Sequence, residues 1–203
     1  AFGFFKKMFF ADNLAPFVNE IFDYPIGLDS FEIISGTLAF GIQIYSDFSG
    51  YADIAIGAAL ILGFKIPMNF NKPYFATSPS DFWRRWHISL STWLRDYLYI
   101  PLGGSKKSSI RTYSNLIIVM FLGGLWHGAS WNFVVWGLLH GLYLAIHKLF
   151  KNKIKTPKFF ERKFGKIIAI LITQYFVFLA WIPFRVRDTE FMLYSIQKYI
   201  LID

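Results

Sequence analysis

The chain has 203 residues, 55% of them hydrophobic and 21% aromatic, with only 17% charged and a formal net charge of +8. A soluble domain carries about 25% charged residues, so this balance points to hydrocarbon as the solvent. The basic excess sits at the ends of apolar segments, which fits anionic lipid rather than nucleic acid as its partner, and the lack of cysteine excludes a disulfide framework or a cysteine-based zinc site.

Residues 1–22 are aromatic-rich and contain Lys6 and Lys7. Their apolar run falls short of the roughly 20 residues a crossing needs, so an interfacial or re-entrant helix is expected. The opening Ala1-Phe-Gly-Phe-Phe-Lys-Lys7 lacks both an initiator methionine and the layout of a signal peptide. Both ends are expected to be cuts through a longer protein.

Residues 30–64 form the first long apolar stretch, which exceeds a single crossing and must tilt, break or divide in two. Gly50 is the expected break point. The stretch carries Asp47 and Asp53, and a carboxylate at membrane depth must face protein or water. Ser46, Ser49, Gly50 and Asp53 share one helical face by spacing.

Residues 65–80 read as a loop. Ser78-Pro79-Ser80-Asp81 then has the form of a helix start, with Ser78 as N-cap, Pro79 as first helical residue and Asp81 as capping-box acid. The helix it opens is expected to run to about Leu98, with Arg84, His87, Ser91 and Arg95 on one polar stripe opposite an aromatic face. Such a helix lies in the membrane interface or lines a polar cavity.

A basic loop (Lys106, Lys107, Arg111) precedes a second long apolar stretch, residues 113–150, which Lys148, Lys151 and Lys153 close. If basic flanks stay on the cytoplasmic side, both ends lie together. The stretch is then a hairpin dipping into the membrane, with His127 at or near its buried tip; a single strongly tilted helix is the alternative. Residues 151–166 form a basic linker, and residues 167–184 a last apolar span. No internal repeat or low-complexity segment is present.

His127, between Trp126 and Gly128 in an apolar run, is the sharpest chemical signal. An ionisable group inside a membrane segment is a candidate functional site, and a buried imidazole stays neutral and able to accept a proton. A histidine bonded to a neighbouring helix is equally compatible with the spacing. His87 could line the same cavity or simply face headgroups. Arg84 and Arg85 could hold phosphates or act as interface anchors. His140 reads as a helix–helix contact and His147 as a membrane-surface residue; two histidines seven apart without a third ligand are a weak metal signal. Asp47 and Asp53 could orient a histidine, pair with a cation or line the cavity. No Gly-x-Ser-x-Gly elbow, phosphate loop or His-Glu-x-x-His motif occurs.

Four ordered motifs carry a resemblance: Tyr45-Ser-Asp-Phe-Ser-Gly-Tyr-Ala-Asp-Ile, Asp81-Phe-Trp-Arg-Arg-Trp-His-Ile-Ser-Leu-Ser, Trp93-Leu-Arg-Asp-Tyr-Leu-Tyr-Ile-Pro-Leu-Gly-Gly and Gly124-Leu-Trp-His-Gly-Ala-Ser-Trp. Together they resemble the membrane-bound O-acyltransferases, in particular the branch of alginate O-acetyltransferase membrane subunits. The resemblance implies an all-α, polytopic helical membrane protein with transmembrane, re-entrant and interfacial helices, of which residues 1–203 are an internal fragment of a single catalytic membrane domain. It implies a multi-pass enzyme of the bacterial cytoplasmic membrane. Such an enzyme moves an acetyl group from acetyl-CoA, with no resident cofactor or metal, to hydroxyls of an exported polysaccharide, directly or through a periplasmic or extracellular esterase-like partner. The family's essential histidine matches His127 and its second motif histidine matches His87. Asp47, Asp53, Trp126, Arg84, Ser91 and Arg95 are then candidates for lining the substrate tunnel. D-alanyl or other acyl transfer by the same fold is the nearer alternative, and a proton-coupled transporter the further one. The fragment by itself is expected to be inactive.

Overall fold

A computed structural model describes residues 1–153 and 158–202. In chain order the helices are α1 (Phe2–Phe4), α2 (Asp12–Phe22), α3 (Ser30–Ile61), α4 (Pro79–Trp83), α5 (Ile88–Trp93), α6 (Ser109–His127), α7 (Trp131–Lys153), α8 (Lys163–Arg185) and α9 (Thr189–Ile200). Two π-helical stretches, Phe5–Ala11 and Leu94–Tyr99, run on from α1 and α5. Among the described residues there is no β-strand. The all-helical expectation therefore holds for them. α7 and α8 are long and apolar enough to cross a membrane. The chain forms two compact units, Ala1–Asn69 with Trp181–Asp203, and Phe70–Ala180.

In the first unit α1, the π-helical stretch and α2 follow one another without leaving right-handed helical backbone. α3 starts on a capping box: Asp29 accepts from the Glu32 N–H at 2.9 Å, and Glu32 accepts from the Asp29 N–H at 2.8 Å. It then continues for 32 residues. At about 1.5 Å per residue this is about 48 Å, well beyond about 30 Å of hydrocarbon. The expected break at Gly50 does not occur. Gly50 instead lets another backbone come close: a Cβ there would stand 2.8 Å from the Gly3 carbonyl oxygen, and one on Gly3 would stand 2.6 Å from that of Gly50. The missing side chain serves helix–helix packing rather than bending. Val18, Ile21, Ile33, Phe40, Trp181 and Met192 fill this unit's core. α9 closes it, with the Tyr194 hydroxyl donating to the Leu28 carbonyl at 2.9 Å.

In the second unit Ser78 caps α4 as expected, accepting from the Asp81 N–H at 3.2 Å, with Pro79 at the first helical position. Asp81 reaches one residue further back than a capping box does and accepts from the Thr77 N–H. The single helix expected from here to Leu98 is not formed. α4 stops at Trp83, His87 takes left-handed backbone (φ 41°, ψ 58°), and α5 begins at Ile88. The polar stripe of Arg84, His87, Ser91 and Arg95 is thus not one helical face. Side-chain periodicity cannot register a backbone reversal inside it.

The 113–150 stretch is a helical hairpin: α6 and α7 run antiparallel around a turn at residues 128–130. The single-helix alternative falls away, and His127 is the last residue of α6, at the tip. Glycines set the spacing. A Cβ on Gly124 would lie 2.2 Å from the Phe133 carbonyl oxygen, and one on Gly137 2.4 Å from that of Met120, so the two backbones touch. Of the expected basic linker, residues 154–157 lie outside the described residues; on either side α7 extends to Lys153 and α8 starts at Lys163.

Candidate active site

His127 presents its imidazole from the hairpin tip into a set of aromatic rings. Its ring centroid lies 5.0 Å from that of Trp126 and 5.9 Å from that of Phe133, and it meets Trp136 edge-to-face at 4.9 Å and 88°. Gly128 lies close beside it: a Cβ there would come within 2.9 Å of the Phe133 ring. The side chain is half-buried, not fully buried as expected, and Trp126 is 62% exposed. The reason is that both stand at a turn, where a helix has fewer neighbours.

His87 comes to the same place from the broken helix. Its ring centroid is 6.4 Å from that of Trp126. Its backbone carbonyl accepts from the Ser91 N–H at 2.9 Å and so starts α5. A non-glycine residue in left-handed backbone is strained, and here the strained residue is one of the two histidines at the tip. Burial, and to a smaller degree the nearby His127, holds the His87 imidazole down, to about 4. It is therefore neutral at physiological pH. Two imidazoles flanking one indole can accept and return a proton without a metal. Among the described residues no three His, Cys, Asp or Glu side chains could hold a metal ion together.

The other candidates do not gather here. Arg85 pairs with Asp81 at 3.0 Å, and the mostly exposed Arg84 approaches the same carboxylate at 3.7 Å. Ser91 donates its hydroxyl to the Trp86 carbonyl at 3.0 Å. Arg95 is engaged with Asp96 through bonds of 2.7 and 3.1 Å. Asp47 and Asp53 belong to the first unit, where Lys7 pairs with Asp47 and Lys6 pairs with Asp53 at 2.7 Å. Lys6 also donates to Ser49 at 2.9 Å, so the face shared by Ser49, Gly50 and Asp53 is the one against the N-terminal helix.

Behind the two histidines lies a core that sequence reasoning did not assemble. Trp136 and His140, one turn apart on α7, are both buried and 5.0 Å apart between ring centroids. His140 also stacks on Phe82 at 6.1 Å and 5°, and meets Trp83 at 5.0 Å. The expected helix–helix contact at His140 is thus present, against α4. Trp136 and His140 are four apart on one face, but that spacing could not show which helix they would meet.

The model of the membrane-bound O-acyltransferase family matches residues 1–193. The chain belongs to the membrane-bound O-acyltransferase family. It is 47% identical over 190 residues to a probable alginate O-acetylase of Azotobacter vinelandii, covering 93% of this chain and 36% of that protein. It is 46% identical over 188 residues to a peptidoglycan O-acetyltransferase of Helicobacter pylori, covering 93% of this chain and 35% of that one. To a teichoic acid D-alanyltransferase of Bacillus subtilis it is 35% identical over 146 residues, 68% of this chain and 37% of the relative. The chain thus spans about a third of the length of the curated family members it matches.

Proposed function

We propose that the protein containing this chain is a membrane O-acetyltransferase that moves an acetyl group from acetyl-CoA to hydroxyls of an exported polysaccharide. His127 is the general base. It takes the proton of the acceptor hydroxyl, the hydroxyl oxygen attacks the thioester carbonyl, and the departing thiolate leaves with a proton returned by the imidazole. His87 is the second imidazole, assisting by hydrogen bond or proton sharing. Transfer proceeds directly or through an esterase-like partner outside the membrane. The enzyme is a multi-pass protein of the bacterial cytoplasmic membrane. The basic residues at the base of the α6–α7 hairpin face the cytoplasm, and His127 lies toward the far end of its helices. Asp47, Asp53, Trp126, Arg84, Ser91 and Arg95 are proposed to contribute to the substrate path when the remaining parts of the protein are in place, and this fragment alone is inactive.

The observation that carries this reading is the juxtaposition of His127 and His87 about Trp126 at the hairpin tip. The names of the Azotobacter and Helicobacter relatives, both O-acetyl transfer proteins, support the acetyl donor and a glycan acceptor. The Bacillus relative, a D-alanyltransferase, supports D-alanyl transfer by the same fold as a second reading. The test replaces His127 by Ala in the full-length protein and measures O-acetyl on exported polysaccharide. General-base loss is expected to cost about 100-fold or more; unchanged acetylation at normal protein level would sink the role. Release of free CoA from acetyl-CoA by the purified full-length protein separates acetyl transfer from D-alanyl transfer and from a transporter.

A further inference from the structure

His140 takes no part in the proton transfer proposed above, yet it occupies the junction of the two segments that present the site histidines. It is 1% exposed. Toward the hairpin tip it touches Trp136 at 5.0 Å between centroids, and the Trp136 ring stands edge-to-face on His127 at 4.9 Å. Toward the other segment it stacks on Phe82 and meets Trp83. Phe82 in turn stacks on Trp86 at 5.6 Å and 17°, and Trp86 directly precedes His87. One imidazole is thus a single ring from His127 and two rings from the residue that sets the left-handed turn at His87.

Bulk alone does not account for a histidine there. A phenyl ring would fill a stack between Phe82 and Trp136 without the desolvation cost of a polar ring. The surroundings supply a reason for polarity. The Trp83 indole N–H is buried and has no hydrogen-bond acceptor, and the nearest polar ring to it in these contacts is His140, met at 78°. An imidazole offers such a donor a π face of greater electron density than phenyl does. The contact joins α4, which carries Trp83, to α7, which carries His140.

We infer that His140 is a positioning residue for acyl transfer, holding His127 and His87 at their working separation through Trp136 on one side and the Phe82–Trp83–Trp86 rings on the other. The inference rests on the reading of His127 as general base. It differs from a packing role in what it demands: ring shape is insufficient, and a polar ring or amide at this position is needed for turnover but not for folding.

The experiment uses the full-length protein with His140→Phe, His140→Gln and His127→Ala, each followed by thermal unfolding in detergent and by steady-state transfer from acetyl-CoA to a glycan acceptor. A displacement of about 1 Å at a reacting group costs about 100-fold in rate, so His140→Phe is expected to lower kcat by tenfold or more at unchanged KM for acetyl-CoA and unchanged Tm. His140→Gln, which restores a polar group, is expected to recover most of kcat. Wild-type kcat in His140→Phe would overturn the inference, and so would equal losses of Tm and kcat in both variants, the mark of a packing role. Undiminished transfer in His127→Ala would overturn the general-base reading instead, whatever the His140 variants do.

Discussion

The two units treat their polar membrane residues in opposite ways. In the first, Asp47 and Asp53 of α3 are each matched by a lysine: Lys6 pairs with Asp53, and Lys7 with Asp47 and with Asp12 of α2. In the second, the polar groups among the rings include three imidazoles, those of His87, His127 and His140. Paired charges are fixed by each other and serve to hold helices together. A neutral imidazole can accept and return a proton, at the smaller cost of burying a polar but uncharged group. The first arrangement makes a scaffold and the second the proposed site. Asp47 and Asp53 therefore draw attention in the sequence for the same reason as His127, yet their immediate partners are structural ones.

This contrast can be broken. The largest effect separates activity from stability: His127→Ala is expected to abolish most transfer while leaving the thermal unfolding of the full-length protein unchanged, and a large fall in Tm would erase the distinction between site and scaffold. Lys6→Ala should do the reverse. Its side chain is 12% exposed and its ammonium serves both Asp53 and Ser49, so its removal leaves charged and polar groups without a partner and is expected to cost about 1–3 kcal/mol. Exchanging the pair, Lys6→Asp with Asp53→Lys, should restore part of that loss; no recovery in the double variant would show that the pair is not the source.

Gly124→Val tests whether the hairpin tip depends on backbone contact. Its Cβ would meet the Phe133 carbonyl oxygen at 2.2 Å. Overpacking of this kind costs about 1–3 kcal/mol, and here it should also lower transfer, because Phe133 lies against His127. Wild-type Tm would mean that α6 and α7 are not pressed together.

The smallest expected effect is a pH shift at His87. An unperturbed imidazole titrates near 6.5, whereas His87 is held down to about 4. The unfolded chain therefore takes up a proton below about 6.5 that the folded protein declines until about pH 4. Stability contributed by this group is complete above the upper value and falls as pH drops across that window. His87→Gln should flatten the acid side of the stability profile. An identical slope in the variant would show that His87 titrates normally.

Much of the architecture was legible before folding was considered. Apolar runs, basic flanks and Pro79 after Ser78 located α3, the start of α4, the α6–α7 hairpin and α8 to within a few residues, because helix periodicity and capping are local properties. The Gly124-Leu-Trp126-His127-Gly128 run marked the candidate site. Tertiary structure decided the rest. It kept α3 continuous through Gly50, since a glycine's lack of a side chain permits close packing as readily as a bend. It broke the 79–98 helix at His87, where the stripe pattern showed no interruption. It gave Asp47 and Asp53 lysine partners 40 or more positions away, and it set His140 behind both histidines. Which residue is ionisable and apolar-flanked is written in the chain; which distant group satisfies it depends on how helices meet.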